Sequence, residues 1–436
     1  MPHPTGDWLP AAAAVAVAAW GANQFTALAS VYRARTDWSA LSLAAMFSVY
    51  LLGLVPGLLL AGPAAERYGR RRTVRGALGL SAAASVVLAL SDEPSVYAAR
   101  LATGFAAGLV FLAGTAWLRE LSGPGVPPER SARRAMYATG TGFAAGALAS
   151  GVIAEWLPAP TVLPALAQAL GCLLVLRATR GLPETARSRG RGRGNGNGDG
   201  EGRGARPGAG PGKSDGTGPA HGTPPPRTAA VRHPRFRYVV LPASPAVLGA
   251  ATVAYVVLPP LVADRVPGYA PLFSGLVAAL TLATGVVAQP FAARLDDSDS
   301  ARATLTAMAT VIAGLLLGAL AAARDSVGLV VAAAVVLGTG YGLTLGAGLH
   351  EVERLTPPAS RPTSASLYQS TTSSGFLTPL LLAGTAGHAS YPALLAGMAA
   401  VGLLCLAVTA AHSRRHLPDP PDPRTAARRE DSSVQT

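Results

Sequence analysis

Between Gly62 and Thr73 the chain reads GPAAERYGRRRT, a carboxylate and four arginines set directly behind a long apolar run. An acid and bases at this spacing can pair, part and re-pair as helices move, and the glycines permit a tight turn. Gly62, Glu66, Arg67, Gly69, Arg70 and Arg71 are therefore read as a gating charge network, with Arg294 at the matching place later in the chain. Arg100 lies near the start of another apolar run, where a guanidinium is costly unless it snorkels, pairs or lines a wet cavity. Further polar groups fall inside apolar runs: Asn23, Gln24, Gln168, Tyr255, and the set Tyr368, Gln369 and Thr372 in SLYQSTTSSG. They are expected either to orient a solute in a cavity or to bond neighbouring helices. No Asp or Glu sits in the middle of a run; Glu155, Glu351 and Glu353 fall near run ends. Clustered His, Asp or Glu for membrane-embedded catalysis is missing, as is any G-x-x-x-x-G-K-[ST] nucleotide loop, which argues against an enzyme and against an ATP-driven pump. Cys172 and Cys405 lack the spacing of a disulfide framework or a zinc site, and no cofactor or metal is expected.

The elements that must position these groups follow from composition. In 436 residues, 50% are hydrophobic and only 14% charged, with a mean hydropathy of +0.34, too apolar for an ordinary soluble globule. The formal net charge of +13 does not indicate nucleic acid, because the arginines lie between apolar runs without a reading motif. Twelve runs of spanning length fall near 8–32, 41–65, 73–91, 95–118, 136–157, 160–179, 238–262, 271–292, 302–322, 327–349, 364–386 and 391–411. The expectation is an all-α polytopic membrane protein of twelve transmembrane helices in two pseudo-symmetric six-helix bundles, 1–187 and 236–413. Between them, 188–235 is rich in Gly, Arg and Pro and reads as a disordered linker; 414–436 reads as a tail. Arginine is concentrated in the connections after the second and fourth runs and in the linker, which places these, and both termini, in the cytoplasm. Gly104 and Gly108, then Gly142, Gly146 and Gly151, have the small-residue spacing of close helix packing. A duplication is visible in GPAAERYG (62–69) over QPFAARLD (289–296) and LATGF (101–105) over LGTGY (337–341).

With these residues in view, nearly the whole chain resembles the major facilitator superfamily. The family's G-x-x-x-[DE]-R-x-G-R-[RK] loop is matched by Gly62, Glu66, Arg67, Gly69, Arg70 and Arg71, and its R-x-x-x-G helix-four start by Arg100 and Gly104. The G-x-x-x-G-P-x-x-G-G end of helix five in its drug and metabolite antiporters is met by Gly142, Gly146 and Gly151, with Ala147 in place of proline and Ser150 in place of a glycine. LPETAR at 182–187 resembles the family's Pro-Glu-[ST] segment after helix six. The resemblance implies a monomeric secondary transporter in the cell membrane, moving a small-molecule substrate by alternating access with protons as partner and the lipid bilayer as solvent; the abundance of alanine, glycine and arginine suggests a bacterial source. Proton coupling through Arg100 is carried over from the family, with Glu66 and Glu155 as the candidate carboxylates in this chain. Export of a hydrophobic compound or metabolite by proton antiport leads, ahead of solute uptake or a non-transporting receptor.

Overall fold

The computed structural model describes residues 6–123, 125–185, 233–297, 300–356 and 361–414. The linker expected over 188–235 falls almost wholly outside the described residues, as does the tail beyond 414. The described residues form twelve helical rods. The first half holds α1 (Trp8–Arg35), α2 (Ala40–Tyr68), α3 (Arg70–Leu88), α4 (Glu93–Leu121), α5 (Pro128–Trp156) and α6 (Leu163–Ala178). The second holds α7 (Phe236–Leu261), α8 (Ala270–Ala288), α9 (Arg302–Arg324), α10 (Val327–Arg354), α11 and α12 (Tyr391–His412). Helix α11 runs in three pieces, Arg361–Ser373, Ser374–Leu377 and Thr378–Thr385. Eight of the rods are long and apolar enough by themselves to cross a membrane. The other four are diluted or interrupted: α3 begins on arginines, α5 is rich in glycine and threonine, α6 has 16 residues, and α11 is broken.

Local chemistry sets where these rods begin and bend. The Ser39 hydroxyl accepts the Ser42 amide at 3.0 Å and starts α2, and Asp92 accepts the Ser95 amide at 3.1 Å and starts α4. Bonding from Ser95 holds the exposed Asp92 carboxyl below the usual carboxylate range. Helix α4 widens into a π-turn at Val110–Gly114, and α7 does so at Phe236–Val240 and Val253–Val257, a distortion frequent where function resides.

Within each half, the tightest pairs are built on glycine. A Cβ on Gly104 would overlap the Tyr50 carbonyl and one on Gly108 would lie against Leu54 and Leu58 backbone, so α2 and α4 touch backbone to backbone. In the second half Gly338 and Gly342 of α10 approach Thr281 and Gly285 of α8 in the same way. The repeat is thus physical, but shifted: L-x-T-G aligns Gly104 with Gly340, whereas Gly340 faces Val311 of α9 and Gly338 makes the equivalent approach. In α5, Gly142 and Gly146 lie on Ala16 and Trp20 of α1, while Gly151 meets Pro271 and Gly275 of α8.

The halves meet along a seam formed by α5 and α1 against α8, and by α2 against α11. One apolar cluster runs through both, from Phe25, Phe47 and Leu54 to Tyr255, Leu282 and Phe376. Large apolar side chains such as Leu52, Leu59, Leu173, Leu174, Leu381 and Leu404 lie exposed on the outside, a surface suited to lipid. The end of the molecule carrying Arg70, Glu120 and Arg294 is called the basic end below, and the other the far end.

Candidate functional site

At the basic end, the turn between α2 and α3 is made by Gly69 at φ +90°, a left-handed conformation that glycine adopts without strain. A Cβ there would also overlap the carboxylate of Glu184. That carboxylate accepts the backbone N–H of Arg70 at 2.7 Å and of Arg71 at 3.2 Å, and so caps the exposed start of α3. The Arg71 guanidinium donates to the Leu182 carbonyl at 2.9 Å, and Arg70 pairs with Glu120, at the end of α4, at 2.5 Å. The 182–185 segment is thereby fastened onto the 62–73 loop.

The acid of this cluster differs from the one expected. Glu66 and Arg67 are both exposed, no ion pair joins Glu66 to a described residue, and Arg67 lies over its neighbour Tyr68 at 5.2 Å. Glu184 and Glu120 carry the negative charge instead: Glu184 closes onto the α3 start where unpaired N–H groups already point, and Glu120 onto the Arg70 guanidinium. Gly62 has open space around it, and Arg294 lies over Phe291 at 4.9 Å. The second half pairs different residues, with Arg354 donating to Asp296 at 2.7 Å. Glu184→Ala is expected to destabilise the first half by about 1 kcal/mol, the scale of a lost helix cap; denaturant titration of the full chain checks this.

Deeper in the molecule, Arg100 is 1% exposed. It does not snorkel to an interface, so the anchor role that its place near a helix start allows is set aside. Its guanidinium lies 5.0 Å from the Phe25 ring, 5.7 Å from Phe47 and 4.7 Å from Tyr50. It donates to the carbonyls of Ala22 at 3.0 Å and of Met46 and Phe47 at 3.4 Å each. No carboxylate among the described residues pairs with it. The cage adjoins the seam: Phe47 meets Tyr255 of α7 edge-on at 6.3 Å and Phe376 of α11 at 5.5 Å, and Tyr50 meets Phe376 at 5.4 Å. The Ser48 hydroxyl donates to the Phe376 carbonyl at 3.0 Å. Glu155 accepts the Leu272 amide at 3.3 Å and joins α5 to α8 near the far end.

The remaining polar residues divide. Tyr255 belongs to the seam. Gln168 is fully buried between α1, α3 and α6, bonded with Ser85 and donating to Ser81 and to the Val17 carbonyl at 3.2 and 3.3 Å. Gln24 donates to Ser85 at 3.3 Å. Neither therefore lines the seam, a correction to the cavity expectation: their amides find hydroxyl partners behind α1, inside the first half. Asn23 bonds the Phe143 carbonyl of α5 at 3.2 Å. Tyr368 is buried in the second half and donates to the Thr344 carbonyl, while Thr372 bonds back to the Gln369 carbonyl of its own helix. Gln369 itself is partly exposed. Sequence reasoning missed Tyr50, Phe376 and Ser48, which carry no motif, and the fully buried pair Arg235–Glu351 at 2.7 Å. Arg235, at the end of the stretch that reads as linker, is packed into the second half.

The model of the Major Facilitator Superfamily matches residues 11–375 and 240–435. An 80-residue stretch is 40% identical to the 3-(3-hydroxy-phenyl)propionate transporter of Escherichia coli strain K12, covering 18% of this chain and 20% of that protein. Among solved structures, a peptide transporter POT matches with TM-score 0.71 at 14% identity over 95% of this chain and 98% of that one. The nucleoside transporter NupG matches at 0.67 and 14%, over 93% and 98%, and a D-xylose-proton symporter at 0.64 and 15%, over 94% and 97%. These likenesses establish the fold, and twelve helices in two halves agree with it. By the family match along its length, this chain belongs to the major facilitator superfamily and is a multi-pass, non-enzymatic membrane transporter.

Proposed function

We propose that the chain moves a small organic solute by alternating access, coupled to protons, with its basic end in the cytoplasm of a bacterial cell membrane. The observation that carries this reading is the seam. Two six-helix halves meet through glycine-to-backbone contacts of α5 with α8 and through ring contacts of α2 with α11. Such contacts part and re-form without unfolding either half, and the caged cation beside them is uncovered only when they part. The charge cluster on the α2–α3 turn stiffens one half so that it moves as a body, which assigns Gly69, Arg70, Arg71, Glu120 and Glu184 a structural part in rocking.

Export by proton antiport is the favoured direction, supported by the glycine run of α5, whose Gly142, Gly146 and Gly151 place α5 against both α1 and α8. Uptake by proton symport is the second reading, supported by the named activities of the propionate transporter and the xylose-proton symporter. An imposed pH gradient across proteoliposomes, with solute flux followed in each direction, separates them. Arg67→Ala is expected to cut flux several-fold at equal membrane abundance, since Arg67 sits exposed at the basic end, where it is available to pair when the halves close there. Unchanged flux would remove Arg67 from the gating set.

A further inference from the structure

We infer that Arg100 and Tyr50 together form the recognition site for the carboxylate of a small, singly charged organic acid with an apolar body. This rests on the reading of the chain as a solute carrier and names the substrate class of that carrier. Three observations point the same way. Arg100 is fully buried, yet no acid among the described residues neutralises it. Burying a guanidinium without an anion is expensive, and ring faces and carbonyls compensate it only in part. Its hydrogen bonds occupy three of its five N–H groups, two of them at 3.4 Å, so donor capacity is left over in the planar fork that matches a carboxylate. The hydroxyl of Tyr50, whose ring lies over the same guanidinium, is buried and without a hydrogen-bond partner.

The walls give the rest of the ligand's character. Phe25, Phe47 and Tyr50 lie around the cation, and across the seam Tyr255 and Phe376 pack against Phe47 and Tyr50, a ring-lined setting that suits an apolar or aromatic body. A single uncompensated positive charge matches one carboxylate and not a polyanion. Access is through α11. Pro379 has no N–H to offer the Gly375 carbonyl, so the helix tightens into a 3₁₀ turn at Ser374–Leu377 in which the Thr378 N–H takes that carbonyl; the Thr252 hydroxyl also donates to it at 3.2 Å. Phe376, on that turn, covers Phe47 and Tyr50 and is held by Ser48. When α2 and α11 part, this turn leaves the first half and opens the cage to the seam.

The test is counterflow in proteoliposomes holding the full chain. Labelled benzoate, 3-phenylpropionate and indole-3-acetate are offered beside labelled xylose and uridine as neutral solutes, with benzamide and benzylamine as competitors. At least one carboxylate is expected to exchange, and its amide and amine counterparts to compete at least about tenfold more weakly. Tyr50→Phe, which keeps the ring, is expected to weaken the carboxylate about tenfold, and Arg100→Gln to abolish exchange. Exchange of xylose or uridine without any carboxylate leaves the carrier reading standing and overturns this one. Equal competition by benzamide also overturns it, as does native affinity in Tyr50→Phe for the role of that hydroxyl. No exchange of any solute by folded protein overturns the carrier reading, and this inference with it.

Discussion

Glu351→Ala is expected to lower the stability of the second half by about 3–5 kcal/mol, the cost of leaving a buried cation without its anion. Glu351 is 3% exposed and Arg235 1%, and they join as a fork: Nε to Oε2 and Nη2 to Oε1, each at 2.7 Å. The third guanidinium nitrogen donates to the Ser413 carbonyl at 3.1 Å, and the Ser413 hydroxyl in turn accepts the Ala301 amide at 2.8 Å. One ion pair thus gathers the start of α7, the end of α10, the end of α12 and the approach to α9. The double variant Arg235→Met/Glu351→Leu removes both charges and is expected to recover most of the loss, because a pair replaced by apolar groups of similar volume is often neutral or better. Thermal unfolding of the full-length protein in detergent checks both. Equal destabilisation by the single and double variants would mean that packing, not the buried charge, sets the cost.

Gly104→Val is expected to damage the first half severely. The added Cβ would overlap the Tyr50 carbonyl, so α2 and α4 must separate or slide, at a cost of about 1–3 kcal/mol for an overpacked core. Tyr50 and Arg100 sit on those two helices, and separating them dismantles the cage, so solute flux is expected to fall further than stability. Gly76→Ala is the control. Gly76 lies in α3 with open space where the Cβ would stand, and its replacement is expected to be neutral or to stabilise by about 0.5–1 kcal/mol through helix propensity. Melting temperature and flux measured side by side separate the two effects. Native flux in Gly104→Val would show that α2 and α4 do not position the cage.

Apolar run length and the glycine spacing made the architecture legible from the residues. Most rods fall within a few residues of the runs read from the chain, from α2 over 41–65 to α12 over 391–411, because a bilayer imposes a fixed span and tolerates few charges; α5 is the exception, starting at Pro128 ahead of the run read at 136–157 because its first turns carry charges that an apolar run does not show. The glycines of α4 and α5 were legible for a related reason: backbone contact requires small residues at helical spacing. Which polar side chain faces which neighbour was not legible. Gln24 and Asn23 are adjacent, yet one turns to α3 and the other to α5, a choice set by where Ser85 and the Phe143 carbonyl lie. Glu66 lies inside the loop motif and stays exposed, while Glu120 and Glu184, far apart in the chain, close the network. Tyr50 and Phe376 resemble any other apolar lining until α2 and α11 are brought together.

The measurement that bears most directly on the chain as a proton-coupled carrier is internal pH in proteoliposomes under an imposed gradient. Lipophilic cations, antibiotics, sugars, amino acids and organic acids are added in turn, with native protein compared against Arg100→Ala. Proton movement that appears only with a particular solute, and is lost in Arg100→Ala, is the expected result, and its sign gives antiport or symport. Solute flux with no proton movement, unchanged in Arg100→Ala, would contradict it and leave a facilitator in which the caged arginine serves packing alone.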